Sequence, residues 1–341
     1  MEPVTVAVDA NGADLGPAEV AAGAAQAAET GTRVMLFGPA DALGAPPPGV
    51  EVVDAPVSIA KAPDPFPATR RTPDASIVLA ARAVADGRAA ALVCGGSTGP
   101  ALAAGLLHIR RARGIFRPAL AVPIPVPGSP VLLLDVGANA EARPEHLVQF
   151  AFMGTAFART VLGVENPTVG LLSNGEEPSR GTPDVLAAHV QLGSREGLRF
   201  VGNVEGDGLV GGAADVVVTD GFTGNVALKL MEGVSVTLLR AIREAALSSP
   251  RGRVGGALLR PSLGSLREEL DPEAGGGAYL LGLRGLAVVC HGRFSRRGFA
   301  GAIALAERGV RERVIERTHA ALEGGDVLRP ASEPAASVTP R

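Results

Sequence analysis

Ala91-Leu92-Val93-Cys94-Gly95-Gly96-Ser97-Thr98-Gly99 is the stretch on which the fold turns. Its first four residues form an aliphatic run suited to a strand buried on both faces. Glycines then turn the chain, and a segment of helical period follows over residues 99–111. The same order recurs along the chain. Aliphatic runs occupy residues 4–8, 33–37, 50–53, 91–94, 120–123, 131–134, 169–172, 199–201, 216–218 and 286–289. Helical periods occupy residues 18–28, 75–86, 99–111, 145–161, 184–192, 225–247 and 298–322. Such alternation predicts βαβ units and an α/β protein with a mostly parallel sheet.

Composition agrees. Of 341 residues, 46% are hydrophobic and only 3% aromatic, with no Trp, so the core must be built from Ala, Val, Leu and Ile. A net charge of −3, with the two signs intermixed, gives no reason to expect nucleic acid or an anionic membrane as the main partner. Cys94 and Cys290 make neither a disulfide framework nor a zinc spacing, and read as buried free thiols. The chain enters its first strand without a basic and apolar leader, and no apolar run approaches the ~18–20 residues of a membrane span. The expected location is cytoplasmic. No repeat or linker divides the chain, so one domain is expected over residues 1–323. Residues 61–74, with four prolines, read as an ordered loop or lid beside a site. Residues 248–277, rich in Gly, Pro and Arg, break the pattern, and residues 324–341 read as a disordered tail.

Ligands of open α/β sheets sit beyond the carboxyl ends of strands, so the polar residues that follow each run are the candidates. Asp9 and Gly12 follow the first run and suit a site or an Asx-rich turn. Gly95, Gly96, Ser97, Thr98 and Gly99 could turn backbone N–H groups toward a phosphate or an oxyanion, or make a tight turn only. Asp135 and Asn139 follow residues 131–134; Asn139 could donate to an oxyanion, and Asp135 could equally be a cap. His146 reads as part of a first helical turn. Gly175 and Glu177 form a polar, acidic turn, and Asp220 with Gly221 opens a long helix. On that helix Asn225, Lys229 and Glu232 are spaced to share a face, as a site or as a surface network. His291 ends a strand and is better placed for chemistry than His108, His189 or His319.

The order and separation of these clusters resemble the PlsX phosphate acyltransferases over nearly the whole chain, to about Ala320. The most specific pieces are Leu133-Leu134-Asp135-Val136-Gly137-Ala138-Asn139 and Asp215-Val216-Val217-Val218-Thr219-Asp220-Gly221-Phe222-Thr223-Gly224-Asn225. The resemblance implies a three-layer α/β/α fold similar to the isopropylmalate dehydrogenase and phosphotransacetylase group, and a homodimer. It implies reversible transfer of a long-chain fatty acyl group from acyl-acyl-carrier protein to inorganic phosphate, without cofactor or metal. It further implies that residues 248–277 form a helical projection able to rest on the inner leaflet of the plasma membrane. There the acyl phosphate would pass to a membrane glycerol-3-phosphate acyltransferase for phospholipid synthesis. Within that reading, the Gly95–Gly99 turn and Lys229 bind phosphate, Asn139 and Asn225 handle the carbonyl oxygen, and His291 moves protons.

The chain departs from the family pattern in several places. Asn11-Gly12-Ala13 stands for Met-Gly-Gly, Ser97 for Asn, Pro100 for Ala, and Ser173 for Asn after Leu171-Leu172. Thr72 and Pro73 replace basic residues, as does Pro67, and Arg293-Phe294-Ser295-Arg296 replaces small hydroxylic residues and an Asp. Two further functions are consistent with the same residues. One is a phosphotransacetylase-like enzyme using a short acyl-coenzyme A; the other is a non-catalytic paralogue that binds acyl-carrier protein. A nicotinamide-dependent dehydrogenase rests on fold analogy alone, without a dinucleotide fingerprint.

Overall fold

The computed structural model describes residues 3–126, 130–271 and 273–330. Within them lie the strands β1 (Thr5–Asp9), β2 (Arg33–Gly38), β3 (Val50–Asp54), β4 (Ala91–Gly95), β5 (Ala119–Ile124), β6 (Val131–Leu134), β7 (Thr168–Leu172), β8 (Arg199–Val204), β9 (Val216–Val218), β10 (Ala278–Leu281) and β11 (Leu286–Cys290). The helices are α1 (Pro17–Glu29), α2 (Ala40–Leu43), α3 (Pro65–Arg71), α4 (Ser76–Ala85), α5 (Thr98–Ala104), α6 (Pro144–Phe157), α7 (Pro183–Gly193), α8 (Gly206–Gly211), α9 (Gly221–Leu247), α10 (Pro250–Glu269), α11 (Arg296–Arg311) and α12 (Val314–Gly324). Helices α5 and α6 each run on into one π-helical turn, Gly105–Ile109 and Ala158–Leu162.

All strands join one sheet in the order β3-β2-β1-β4-β11-β10-β5-β6-β9-β7-β8. Central strands such as β4, β6 and β11 are buried along their whole length, which is why they read as unbroken aliphatic runs. Each face of the sheet carries its own apolar core. On one, Val20 and Ala24 of α1, Phe150 and Met153 of α6, and Phe299 and Ile303 of α11 pack on the strands. On the other, Ile77, Val78 and Ala81 of α4, Ala101 of α5 and Leu209 of α8 do so. The result is the expected three-layer α/β/α arrangement.

Sheet direction decides the location of the site. Strands β1, β2, β3, β4 and β11 are mutually parallel. Strand β10 is antiparallel to β11 and to β5, and β5 is antiparallel to β6. Strands β6, β7, β8 and β9 are parallel to one another and therefore run opposite to the first group. The carboxyl ends of the two groups open at opposite ends of the sheet.

The fold corrects several expectations. Ala278–Leu281, not anticipated, is strand β10, and the short helices α2, α3 and α8 also carry little periodic signal. Residues 61–74 are not a loop throughout: they contain α3, which packs beside α5. The single helix expected over residues 298–322 is two, separated where Arg313 takes a left-handed φ of 56°. Residues 250–269 form a helix despite Pro261 in its interior, a residue that removes one backbone hydrogen bond. Helix α10 lies chiefly against α9 and buries none of its side chains. No described helix is long and apolar enough to cross a membrane.

The expected tail needs correction as well. Residues 331–341 lie outside the described residues, but residues 325–330 are packed on the body. Val327 is buried, and Arg329 N donates to Gly114 O at 2.8 Å. Fully buried Gln149 holds this segment: its Nε2 donates to Val327 O at 2.8 Å and Gly114 O at 2.9 Å, while its Oε1 accepts from Phe116 N at 2.9 Å. Replacing Gln149 with Leu would strand two backbone groups, Val327 O and Phe116 N, each costing about 1–3 kcal/mol if unpaired, while Gly114 O keeps its bond from Arg329 N. Gln149→Leu should lower unfolding stability by about 3 kcal/mol in urea titration and remove hydrogen-exchange protection at Arg329. Unchanged protection would show that packing of Val327 alone holds the segment.

Candidate active site

Beyond the ends of β1, β4 and β11 lies a cleft of about 810 Å³. The loop after β1 contributes Gly12 and Asp14, the segment after β3 contributes Ala60 and Lys61, and the turn after β4 contributes Gly96 and Ser97. The opposite wall is α9, through Lys229, Glu232, Gly233, Val236 and Thr237, and the loop after β11 closes it with His291, Gly292 and Arg293.

Backbone packed on backbone makes the floor. A Cβ on Gly12 would lie 2.5 Å from Gly95 O, and one on Gly96 would lie 2.6 Å from Gly12 O. Gly96 also has a φ of 131°, which side chains other than glycine's hydrogen rarely permit. Gly96 N donates to Cys290 O at 3.2 Å and Asp14 N to Gly292 O at 2.7 Å, lacing the three loops together. Asn11 Nδ2 donates to Pro56 O at 3.0 Å, and Ser58 Oγ to Asn11 O at 2.6 Å, which anchors the segment leading to Ala60 and Lys61.

Beneath the floor, Asp9 is 3% exposed and accepts from Asn11 N at 3.1 Å. Burial outweighs its hydrogen bonds with Ser76 and Asn11 and pushes the carboxyl up to about 6. The two cysteines are buried and unpaired nearby, and burial pushes both thiols far up, so neither is an available nucleophile.

The α9 wall carries the charge. Glu232 Oε2 accepts from Lys229 Nζ at 2.9 Å, and Glu232 Oε1 lies 3.0 Å from His291 Nε2. Burial works to raise this carboxyl, but the hydrogen bonds from His291 and Lys229 prevail and hold it at about 2. His291 is further fixed by Phe294, its ring edge-on at 5.6 Å.

The structure gathers Gly12, Gly96, Ser97, Lys229 and His291 in this cleft, with Asp9, Gly95, Thr98 and Gly99 in or beneath the adjoining turn. The remaining expected site residues follow strands of the opposite direction and do not line this cleft; Asn225 comes nearest, about one helical turn before Lys229 on α9. Asp135 Oδ1 accepts from the backbone of Leu120, Gly137 and Ala138, and its Oδ2 from Asn139 N and Nδ2. Asn139 Nδ2 also donates to Pro118 O at 2.7 Å. Asn139 Nδ2 thus donates within the protein, to Asp135 and Pro118. Asp220 caps α9 by accepting from Thr223 N at 2.8 Å, and Gly221 N donates to Asn139 O at 2.7 Å. Asn225 is exposed on the first turns of α9 against Gly137. Gly175 sits against Arg180 and Glu177, whose side chains face each other at 3.5 Å in an exposed pair. His146 closes a capping box with Arg143, as its place in a first turn suggested.

Lys61, Gly292 and Arg293 also line the cleft without having been expected as site residues, and Glu232 was expected only as one of a helical set. Arg293 and Gly292 had a readable cue, because they directly follow His291. Lys61 had a weaker cue, as the first residue of the segment 61–74 read as lying beside a site, and the Asn11 anchor holds the stretch that leads to it.

Asp9 yields a test in pH. Its folded value of about 6 exceeds the ordinary 3.8, so the native state binds the proton more tightly. The burial penalty is absent below the ordinary value, grows as pH rises toward 6, and reaches about 3 kcal/mol above it. The stability of Asp9→Asn relative to wild type should therefore climb between pH 4 and 7 in urea unfolding, by about that amount. A difference flat in pH would show that Asp9 carries no burial penalty.

The model of the fatty acid synthesis protein family matches residues 4–317. The phosphate acyltransferase of Gloeobacter violaceus is 42% identical over 92% of this chain and 95% of its own length. That of Trichodesmium erythraeum is 39% identical, again over 92% of this chain and 95% of its own length. Among solved structures, a phosphotransacetylase from Streptococcus pyogenes superposes with a TM-score of 0.60 at 16% identity, over 91% of this chain and 94% of its own. That likeness speaks for the fold alone. The sequence relatives match the chain almost end to end, and on them the chain belongs to the PlsX phosphate acyltransferase family.

Proposed function

We propose that the chain is a phosphate acyltransferase that moves a long-chain fatty acyl group from acyl-acyl-carrier protein to inorganic phosphate. The observation that carries this reading is the meeting of Lys229 and His291 with the Gly12–Gly96 floor in one cleft. A glycine turn with an adjacent ammonium suits a small dianion, and a nearby imidazole suits proton transfer. Family membership and the name shared by the relatives support acyl transfer to phosphate.

In the reaction, a phosphate oxygen attacks the thioester carbonyl carbon, the new C–O bond forms, and the C–S bond then breaks. Hydrogen phosphate carries one proton, the acyl phosphate product none at that oxygen, and the released thiol needs one. His291 can take the proton from phosphate and return it to the departing sulfur, so the step closes without external acid or base. Lys229 and the turn of Gly95, Gly96, Ser97, Thr98 and Gly99 hold the nucleophile. Asp9 supports that turn from below. No side-chain nucleophile is required, because phosphate itself is the attacking group.

Asn225 we assign to the carbonyl oxygen. Asp135, Asn139, Asp220 and Gly221 hold the start of α9, and Gly175 and Glu177 shape the edge of the opposite strand end. Helix α9 then ties that buried knot to the cleft. The exposed apolar side chains of the α9–α10 hairpin, Leu230, Val234 and Leu238 with Val254, Leu258 and Leu259, support two further parts of the reading. These are a homodimer and a peripheral place on the inner face of the plasma membrane, from a cytoplasmic protein. The acyl phosphate would pass there to a membrane glycerol-3-phosphate acyltransferase.

Purified long-chain acyl-acyl-carrier protein should release thiol only when phosphate is present, with the acyl phosphate trapped by hydroxylamine. Preference for short acyl-coenzyme A in the same assay would favour a phosphotransacetylase-like activity. No release from a folded protein that binds the carrier would favour a non-catalytic paralogue. Lys229→Met should raise the phosphate concentration needed for half-maximal rate by about tenfold or more, the worth of one charge-assisted bond. An unchanged phosphate dependence would remove Lys229 from the nucleophile's site.

A further inference from the structure

Arg293 is the loosely held member of the cleft's charged group. Its Nη2 lies 3.7 Å from Glu232 Oε2, beyond hydrogen-bond length, and its side chain is 66% exposed. The two oxygens of Glu232, which is only 13% exposed, already have short partners in Lys229 and His291. Arg293 is therefore third in line for an occupied carboxylate. Among the described residues it has no other ion pair.

Its root, in contrast, is fixed. On one side Gly292 packs so tightly that a Cβ there would lie 2.9 Å from Asp14 Oδ2 and 3.1 Å from Gly96 Cα. On the other, Phe294 is buried and its ring rests against His291. Only the arm of Arg293 is unpacked, and it lines the cleft together with Gly12 and Gly96.

The cleft also holds more cations than it neutralises. Lys61, Lys229 and Arg293 line it against Asp14 and Glu232. The Nε2 of His291 cannot serve both of its neighbours at once. Lys229 Nζ lies 3.3 Å from His291 Nε2, yet an ammonium only donates, and an Nε2–H directed at Glu232 leaves no lone pair to receive it.

We propose that Arg293 is a movable clamp for the phosphate nucleophile, parked on Glu232 and swinging onto two oxygens of the bound anion. Glu232 is the positioning residue: it keeps Lys229 and His291 aimed while Arg293 leaves. A planar guanidinium can take two oxygens in parallel, which an ammonium cannot. The clamp rests on the phosphate acyltransferase reading for its purpose, but its binding step can be measured without turnover.

The test compares wild type, Arg293→Gln and Arg293→Lys by titration calorimetry with inorganic phosphate and by steady-state acyl phosphate formation. Arg293→Gln should weaken phosphate binding about tenfold, the scale of a charge-assisted pair, and raise KM for phosphate in step, with kcat changed far less. Arg293→Lys should recover only part of the affinity. Equal phosphate affinity in all three proteins, with unchanged melting temperatures, would overturn the clamp even if each makes acyl phosphate. Weakened binding in Arg293→Gln would uphold the clamp even if none of the three makes acyl phosphate, an outcome that would sink only the activity reading.

Discussion

Six residues separate the end of β5 from the start of β6, and that shortness governs the molecule. A parallel crossover needs about a dozen residues, so a link of this length can only join antiparallel neighbours. From that point the sheet runs the other way. Strands β6, β7, β8 and β9 deliver their polar carboxyl-end residues to one end of the sheet, while β1, β4 and β11 deliver theirs to the other. Helix α9 is what joins the two ends. Between Gly221 and Lys229 it advances about 12 Å, most of the length of a five-residue strand. It starts among the buried bonds of Asp135 and Asn139 and brings Lys229 and Glu232 to His291.

The two ends use polar residues differently. Asp135 is wholly enclosed, and every bond it accepts comes from the protein, which suits a group that fixes backbone. At the other end the polar groups surround an open volume, and their mutual bonds are incomplete. Glu232 must serve Lys229, His291 and Arg293 with two oxygens. Incomplete internal pairing in a cleft leaves capacity for a ligand; complete internal pairing leaves none.

Two of the departures from the family pattern stand in the cleft, and none falls in the enclosed knot of Asp135, Asn139 and Asp220. Ser97 and Arg293 both line the open volume, whereas Asp135, Asn139 and Asp220 keep the quoted motif intact. Ser97, which begins α5 without capping it, and Arg293, on its anchored loop, present their polar ends to the same space. A polar group lost from one wall of such a space can be replaced from another, because an anion is held by the sum of donors around it. The same freedom does not exist for Asp135, whose partners are fixed backbone groups.

What the sequence determined by itself was local. Aliphatic runs marked ten of the eleven strands, most plainly β4, β6 and β11, because a strand buried on both faces has to be apolar throughout. The quoted motifs marked the family, and the Gly95–Gly99 turn and Lys229–Glu232 spacing marked where chemistry could sit. The break between β5 and β6 was legible too, in the six residues from Pro125 to Pro130, but its consequence was not. Whether two strand ends share a site depends on direction across strands distant in sequence, including β10, whose four residues carry no periodic signature. Only the tertiary structure therefore decided that His291 meets Lys229 while Asn139 does not, that Lys61 enters the cleft, and that residues 325–330 are held by Gln149. Each of these is a contact between segments far apart in the chain, and spacing along one segment does not encode it.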